Sequence, residues 1–129
     1  MKSSGIIETR TSTIRIDNEG ILRMKIRQGA KVDLKEAESV FKTIKELTGG
    51  EKVLELMEGG NFFTFDEAAQ KHAAKYGKDL FVASAIIIRS SGMRILFNFF
   101  NSFFTTPVPF KMFSSEEKAL QWLRKFKTV

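Results

Sequence analysis

The chain contains no cysteine. That absence excludes a disulfide framework, a thiolate metal site and a cysteine nucleophile together, and it fits a reducing compartment. Proline is scarce too: Pro107 and Pro109 are the only two, and both lie in one short loop. No Pro/Gly-rich linker, repeat or low-complexity tract divides the 129 residues, so the chain reads as one domain, 1–129, with residues 1–5 as a flexible start. The first residues lack the apolar run of a secretory signal. The longest apolar stretch, Leu80 to Phe104, is broken by Arg89, Ser90, Ser91, Gly92 and Arg94. A membrane span needs about 20 nearly uninterrupted apolar residues. The expectation is a cytoplasmic protein with no membrane span.

Histidine occurs once, as His72, and there is no Gly-x-Ser-x-Gly elbow or phosphate-cradling loop. Carboxylates are scattered and do not gather at metal-ligand spacing. The reading is a protein that is not an enzyme, with no catalytic residues, no cofactor and no metal. His72, on a small-residue helix face beside Tyr76, is read as a hydrogen-bonded packing residue. Gly59-Gly60 is read as a sharp turn, being too short for a nucleotide loop.

Charge is present in excess: the net value is +6. Such an excess suits an acidic partner, but it equally suits ordinary solubility, which is the default. Arg15, Arg23, Lys25 and Arg27 would share the exposed face of a hairpin. Its outward positions offer no aromatics for base stacking, so nucleic acid is not expected as a partner.

The apolar periodicity gives the elements. Ile14 and Ile16, then Leu22, Met24 and Ile26, alternate with polar residues as a β-hairpin, with Asn18 and Gly20 in the turn. Asp33 caps a helix with Glu36 completing a capping box, Leu34 to Leu47 carry its stripe, and Gly49-Gly50 ends it. Val53 to Met57 is a short strand. Thr64-Phe65-Asp66-Glu67 is a second capping box, opening a helix to Tyr76 that Gly77 stops. Leu80 to Ile88 reads as a central strand buried on both faces. Ser90-Ser91-Gly92 starts a third helix to Phe104. A last strand, Pro109 to Phe113, precedes a helix with Ser114 and Glu117 as its box. The order ββαβαβαβα predicts an α/β fold: an antiparallel N-terminal hairpin, then a mostly parallel sheet with helical crossovers.

That order resembles the STAS superfamily, the SpoIIAA-like anti-sigma-factor antagonists, and more closely the small bacterial STAS/SEC14-domain proteins. The likeness rests on Asp33-Leu34-Lys35-Glu36-Ala37, Thr64-Phe65-Asp66-Glu67-Ala68, Ala83 to Ile88 leading to Asn98-Phe99-Phe100, and the tail Pro107 to Leu123. It runs from about Ile14 to Phe126. It implies a SpoIIAA-like fold and a habit of binding protein partners or small ligands, and it implies no reaction. The phosphorylated antagonists carry Asp-Ser-Ser or Asp-Ser-Thr where the second helix begins. Here Phe63-Thr64-Phe65-Asp66 stands there, with one hydroxyl and no preceding aspartate. Thr64 is therefore read first as a helix cap and second as a phosphosite.

The 13 phenylalanines are the most informative residues. Phe97, Phe99, Phe100, Phe103 and Phe104 fall on one predicted helix, whose apolar arc is wider than the ~100° a surface helix needs. Something should cover the shoulder: the chain itself, a second copy in a homodimer, or an apolar small molecule lined also by Phe62 and Phe63. The expectation is a regulatory or interaction module acting through contact with an unknown protein partner, with a homodimer favoured. The alternative is a carrier or sensor of a lipid-like ligand.

Overall fold

The computed structural model describes residues 5–60, 62–89 and 108–127. Strands β1 (Ile7–Glu8), β2 (Ser12–Ile16) and β3 (Leu22–Ile26) are antiparallel, with Ile14 opposite both Ile7 and Met24. The period-two residues Ile14, Ile16, Leu22, Met24 and Ile26 are all buried, as alternation requires of a sheet with one face on the core. Asp17 closes the hairpin: its Oδ1 accepts from the amides of Glu19 (2.8 Å) and Ile21 (3.0 Å). Gly20 takes the left-handed conformation there, at φ +80°.

After a two-residue strand, β4 (Lys31–Val32), helix α1 spans Leu34–Thr48. Asp33 caps it, accepting from the Glu36 amide at 2.8 Å, and Gly49 ends it in the left-handed conformation. The predicted capping box is only half formed, because the Glu36 carboxylate takes donors from Thr9 and Thr11 instead. Next come β5 (Val53–Gly59), β6 (Thr64–Phe65), α2 (Glu67–Leu80), β7 (Phe81–Ile87), β8 (Phe110–Phe113) and α3 (Glu116–Arg124). The main sheet has the order β1-β2-β3-β5-β7-β8, and β3, β5, β7 and β8 are parallel. β4 and β6 form a separate parallel pair. This is the expected mixed sheet, with three short strands that periodicity does not reveal.

One face of the sheet packs on α1 and α2 through Ile14, Met24, Val40, Ile44, Met57 and Ile86. The other packs on α3 through Leu54, Leu56, Ala85, Ile87, Ala119 and Leu123. Ion pairs tie α3 to the hairpin turn: Arg124 grips Glu19 with two bonds (2.7 and 3.0 Å), and Lys127 joins at 3.0 Å. Those donors hold the Glu19 carboxyl down at about 2.

Three predicted helix boundaries move, and β5 runs two residues past its expected end at Met57. The cap of α2 is Asp66, which accepts from the Ala69 amide at 2.8 Å, and not Thr64. Asp66 has the required extended backbone, while Thr64 is already committed to β6, its amide donating to the Ala30 carbonyl. Gly77 does not stop α2, because its backbone is not left-handed and the helix runs three residues further, straight into β7. The cap of α3 is Ser115, one residue beyond Ser114. The predicted third helix, with Phe97, Phe99, Phe100, Phe103 and Phe104, lies outside the described residues.

Candidate functional site

Two features of the α1/α2 side of the sheet are chemically unusual, and both begin at β5. In Val53-Leu54-Glu55-Leu56-Met57, side chains alternate between faces, so Glu55 points the same way as Val53 and Met57. Those two belong to the core under α1 and α2. Glu55 is therefore a carboxyl inside that core, 4% exposed. β7 places Ser84 opposite it, and the Ser84 hydroxyl donates to Glu55 Oε1 at 2.5 Å. Among the described residues this is the one hydrogen bond that Glu55 receives. Burial pushes the carboxyl up to about 7, and the Ser84 bond only partly opposes it.

Glu55 lines a small, almost wholly apolar cavity of about 40 Å³, walled by Val40, Phe41 and Ile44 of α1 and by Ala69, Ala73 and Gly77 of α2. Thr11 and Ser12 also reach it. Their hydroxyl protons are spoken for. Thr11 Oγ1 donates to Glu36 Oε2 at 2.6 Å, so in the Thr11–Ser12 contact of 3.1 Å the Ser12 hydroxyl is the donor. Glu36 Oε2 also accepts from Thr9 Oγ1 (2.8 Å) and the Thr11 amide (2.9 Å). Burial works to raise the Glu36 carboxyl, but the bonds from Thr11 and Thr9, with Arg10 nearby, outweigh it and hold it below the usual range. The two buried glutamates thus differ in environment: Glu36 is a satisfied anion, whereas Glu55 is a nearly bare acid.

Outside this cavity, α1 and α2 form a cleft of about 330 Å³ lined by Phe41, His72, Tyr76 and Leu80, with charges at its rim. His72 is a packing residue, its ring 4.8 Å from both Phe41 and Tyr76. The expected hydrogen bond is missing: its buried Nδ1 has no partner among the described residues. Phe41 lines both spaces.

The second feature is the turn from β5 to β6. Gly60 presses on the backbone of residues 26–28: its amide donates to the Ile26 carbonyl at 2.8 Å, and an added Cβ would lie 2.6 Å from the Gln28 nitrogen. A Cβ on Gly59 would collide with the Phe63 ring, which is 1% exposed. Held at both ends, the turn leaves Phe62 at φ +60° and 79% exposed. For a bulky L-residue that backbone is an outlier costing about 1–3 kcal/mol. Thr64 is exposed two residues on. The structure thus separates the two adjacent rings that were expected to line one surface.

The basic hairpin face is partly neutralised. Arg23 pairs with Asp17 (2.8 Å) and Glu116 (3.0 Å), and Arg27 with Glu8 (3.2 Å). Arg15 and Lys25 have no ion pair among the described residues. Among those residues, no helix is long and apolar enough to cross a membrane.

Compared with known families, residues 14–127 match the family described as Domain of unknown function (DUF7793). The chain belongs to that family. The match takes in every strand from β3 to β8, so the DUF7793 domain includes both Glu55 and the Phe62 turn. No curated protein matches it. Among solved structures, it is similar to an uncharacterised protein of the DUF3478 family with a SpoIIAA-like fold from Shewanella loihica PV-4. The two are 22% identical, the match covers 94% of this chain and 93% of that one, and the TM-score is 0.57. A protein of unknown function from Arthrobacter sp. FB24 is 26% identical over 86% of this chain and 97% of that one, with a TM-score of 0.31. The first likeness gives this DUF7793 domain a SpoIIAA-like fold, as the family resemblance implied.

Sequence reasoning missed Glu55, Thr11 and Ser12, and read Glu36 only as part of a capping box. For Glu55 a signal existed: a lone charge inside an apolar strand with helices on both sides has no face on which to meet water.

Proposed function

We propose that this DUF7793 domain is a non-catalytic, STAS-like interaction module that acts by contact with a protein partner, and that Phe62 is its anchor. The exposed, strained Phe62 carries this reading. A ring held in water at a cost of about 1–3 kcal/mol in backbone strain is explained if a partner buries it, since burial of such a side chain returns about 1.5–3 kcal/mol. Aromatic anchors of this kind dominate binding at protein interfaces. Thr64 belongs to the same surface, where a phosphate would change its charge beside the start of α2.

The test is Phe62→Gly. Glycine relieves the strain, so the isolated domain should gain about 1 kcal/mol in urea unfolding. Quantitative affinity capture from host cells should lose the partner that the wild type retains. Sedimentation velocity covers the case in which that partner is a second copy. If Phe62→Gly retained every captured protein and the same assembly state, contact through Phe62 would be ruled out.

A further inference from the structure

We infer that the inner cavity and the outer cleft form one binding site, closed by the Phe41 ring, for a small primary amine with an aliphatic body whose head group is received by Glu55. The argument is one of hydrogen-bond capacity. Thr11 and Ser12, which line the inner cavity, have already donated their hydroxyl protons, to Glu36 and Thr11, and Ser84, which is not part of the wall, donates its own to Glu55. With Glu55 ionised, as at pH 8, what is left unclaimed among the described residues is its Oε2 and lone pairs of Ser12, which are all acceptors. An occupant must therefore bring donors, and an ammonium group brings three. Among the described residues the rest of the wall is hydrocarbon, which suits an alkyl chain and offers a carboxylate or phosphate nothing.

Size makes the outer cleft necessary. About 40 Å³ holds no more than about three waters, so the cavity takes a head group and not a body. The cleft beyond Phe41 is roughly eightfold larger, by the ratio of 330 to 40 Å³. Phe41 is half-buried and meets His72 and Phe81 only by ring edges, at centroid distances of 4.8 and 6.3 Å. A change of its rotamer joins the two spaces. The outer rim carries Glu38, Lys42 and Lys45 from α1 and His72, Tyr76 and Asp79 from α2. With two fixed charges of each sign among the described residues, that rim does not select by charge. Among the described residues Glu55 is the only ionisable one at the inner cavity, so selection falls to it.

Hexylamine, 1-hexanol and hexanoate share a body and differ in the head group. Calorimetric titration of the whole chain at pH 8 should show hexylamine binding about 10-fold more tightly than hexanol, the typical difference between a charged and a neutral hydrogen bond, with hexanoate not binding. Glu55→Gln should abolish the preference for the amine while hexanol still binds. Lowering the pH to 5.5 should weaken hexylamine in the wild type, as Glu55 takes up a proton, and leave Glu55→Gln unmoved. Phe41→Ala should speed association in stopped flow. If the wild type does not discriminate the amine from the alcohol, or if Glu55→Gln keeps the discrimination, the site is not an amine site. Equal association rates for wild type and Phe41→Ala would overturn the gate.

Discussion

Replacing Glu55 by glutamine tests the energetics of the core directly. The carboxyl titrates at about 7 in the folded chain against an ordinary 4.5, so the folded state holds a proton that the unfolded state has released. Stability from this group is fully present below pH 4.5 and is lost as pH rises through about 7. The rise corresponds to about 3 kcal/mol at ~1.4 kcal/mol per pH unit, with little solvent screening because the group is fully buried. Glutamine keeps the shape and the acceptor for Ser84 and cannot ionise. Urea unfolding of both proteins from pH 4.5 to 8.5, at constant ionic strength, should show the wild type weakening by about 3 kcal/mol relative to Glu55→Gln. For a domain of this size that is a difference in melting temperature of roughly 10 °C. The lowered carboxyls, Glu19 and Glu36, act in the opposite sense, but their effect appears only as pH falls below 4.5, outside this window. Curves that stay parallel between pH 5 and 8 would show that water or a relaxed backbone solvates Glu55, and the reasoning would fail.

Two further outcomes are expected from thermal or urea unfolding. Gly60→Ala should cost more than about 2 kcal/mol, because the new Cβ meets backbone at 2.6–2.9 Å, whereas Gly77→Ala, with nothing within 4 Å, should gain about 0.5–1 kcal/mol from helix propensity. Asp66→Ala should cost about 1 kcal/mol and Thr64→Ala less than about 0.5 kcal/mol, since the aspartate alone satisfies an amide of the first turn of α2.

How much of this was legible in the sequence depended on which force decides each feature. The hairpin, α1 and α3 are set by burial of a periodic face, plain from Ile14 to Ile26 and from Ala37 to Leu47 although Leu34 itself is exposed, and β7 by a continuous apolar run. β1, β4 and β6 are two residues long and carry no period, so only their pairing reveals them. The caps slipped by one or two residues where several candidates adjoin, as at Thr64 and Asp66 or Ser114 and Ser115, because backbone conformation chooses among them. Phe62 and Phe63 are alike as text. Their opposite fates follow from Gly59 and Gly60, whose missing side chains admit the Phe63 ring and the Gln28 backbone, a tertiary fact with no local signature. Glu55 was readable in principle, and its depth became plain only once helices lay over both faces of β5.

The direct passage of α2 into β7 has a consequence for how this chain can change length. Leu80 ends a helix and Phe81 begins a strand. One added residue at that seam would turn the helix by about 100° about its axis or invert the strand's two sides. Either would carry Ala73 and Gly77 out of line with the face of β7 that bears Phe81 and Ile86, so the junction acts as a ruler, and insertions and deletions belong elsewhere in the chain.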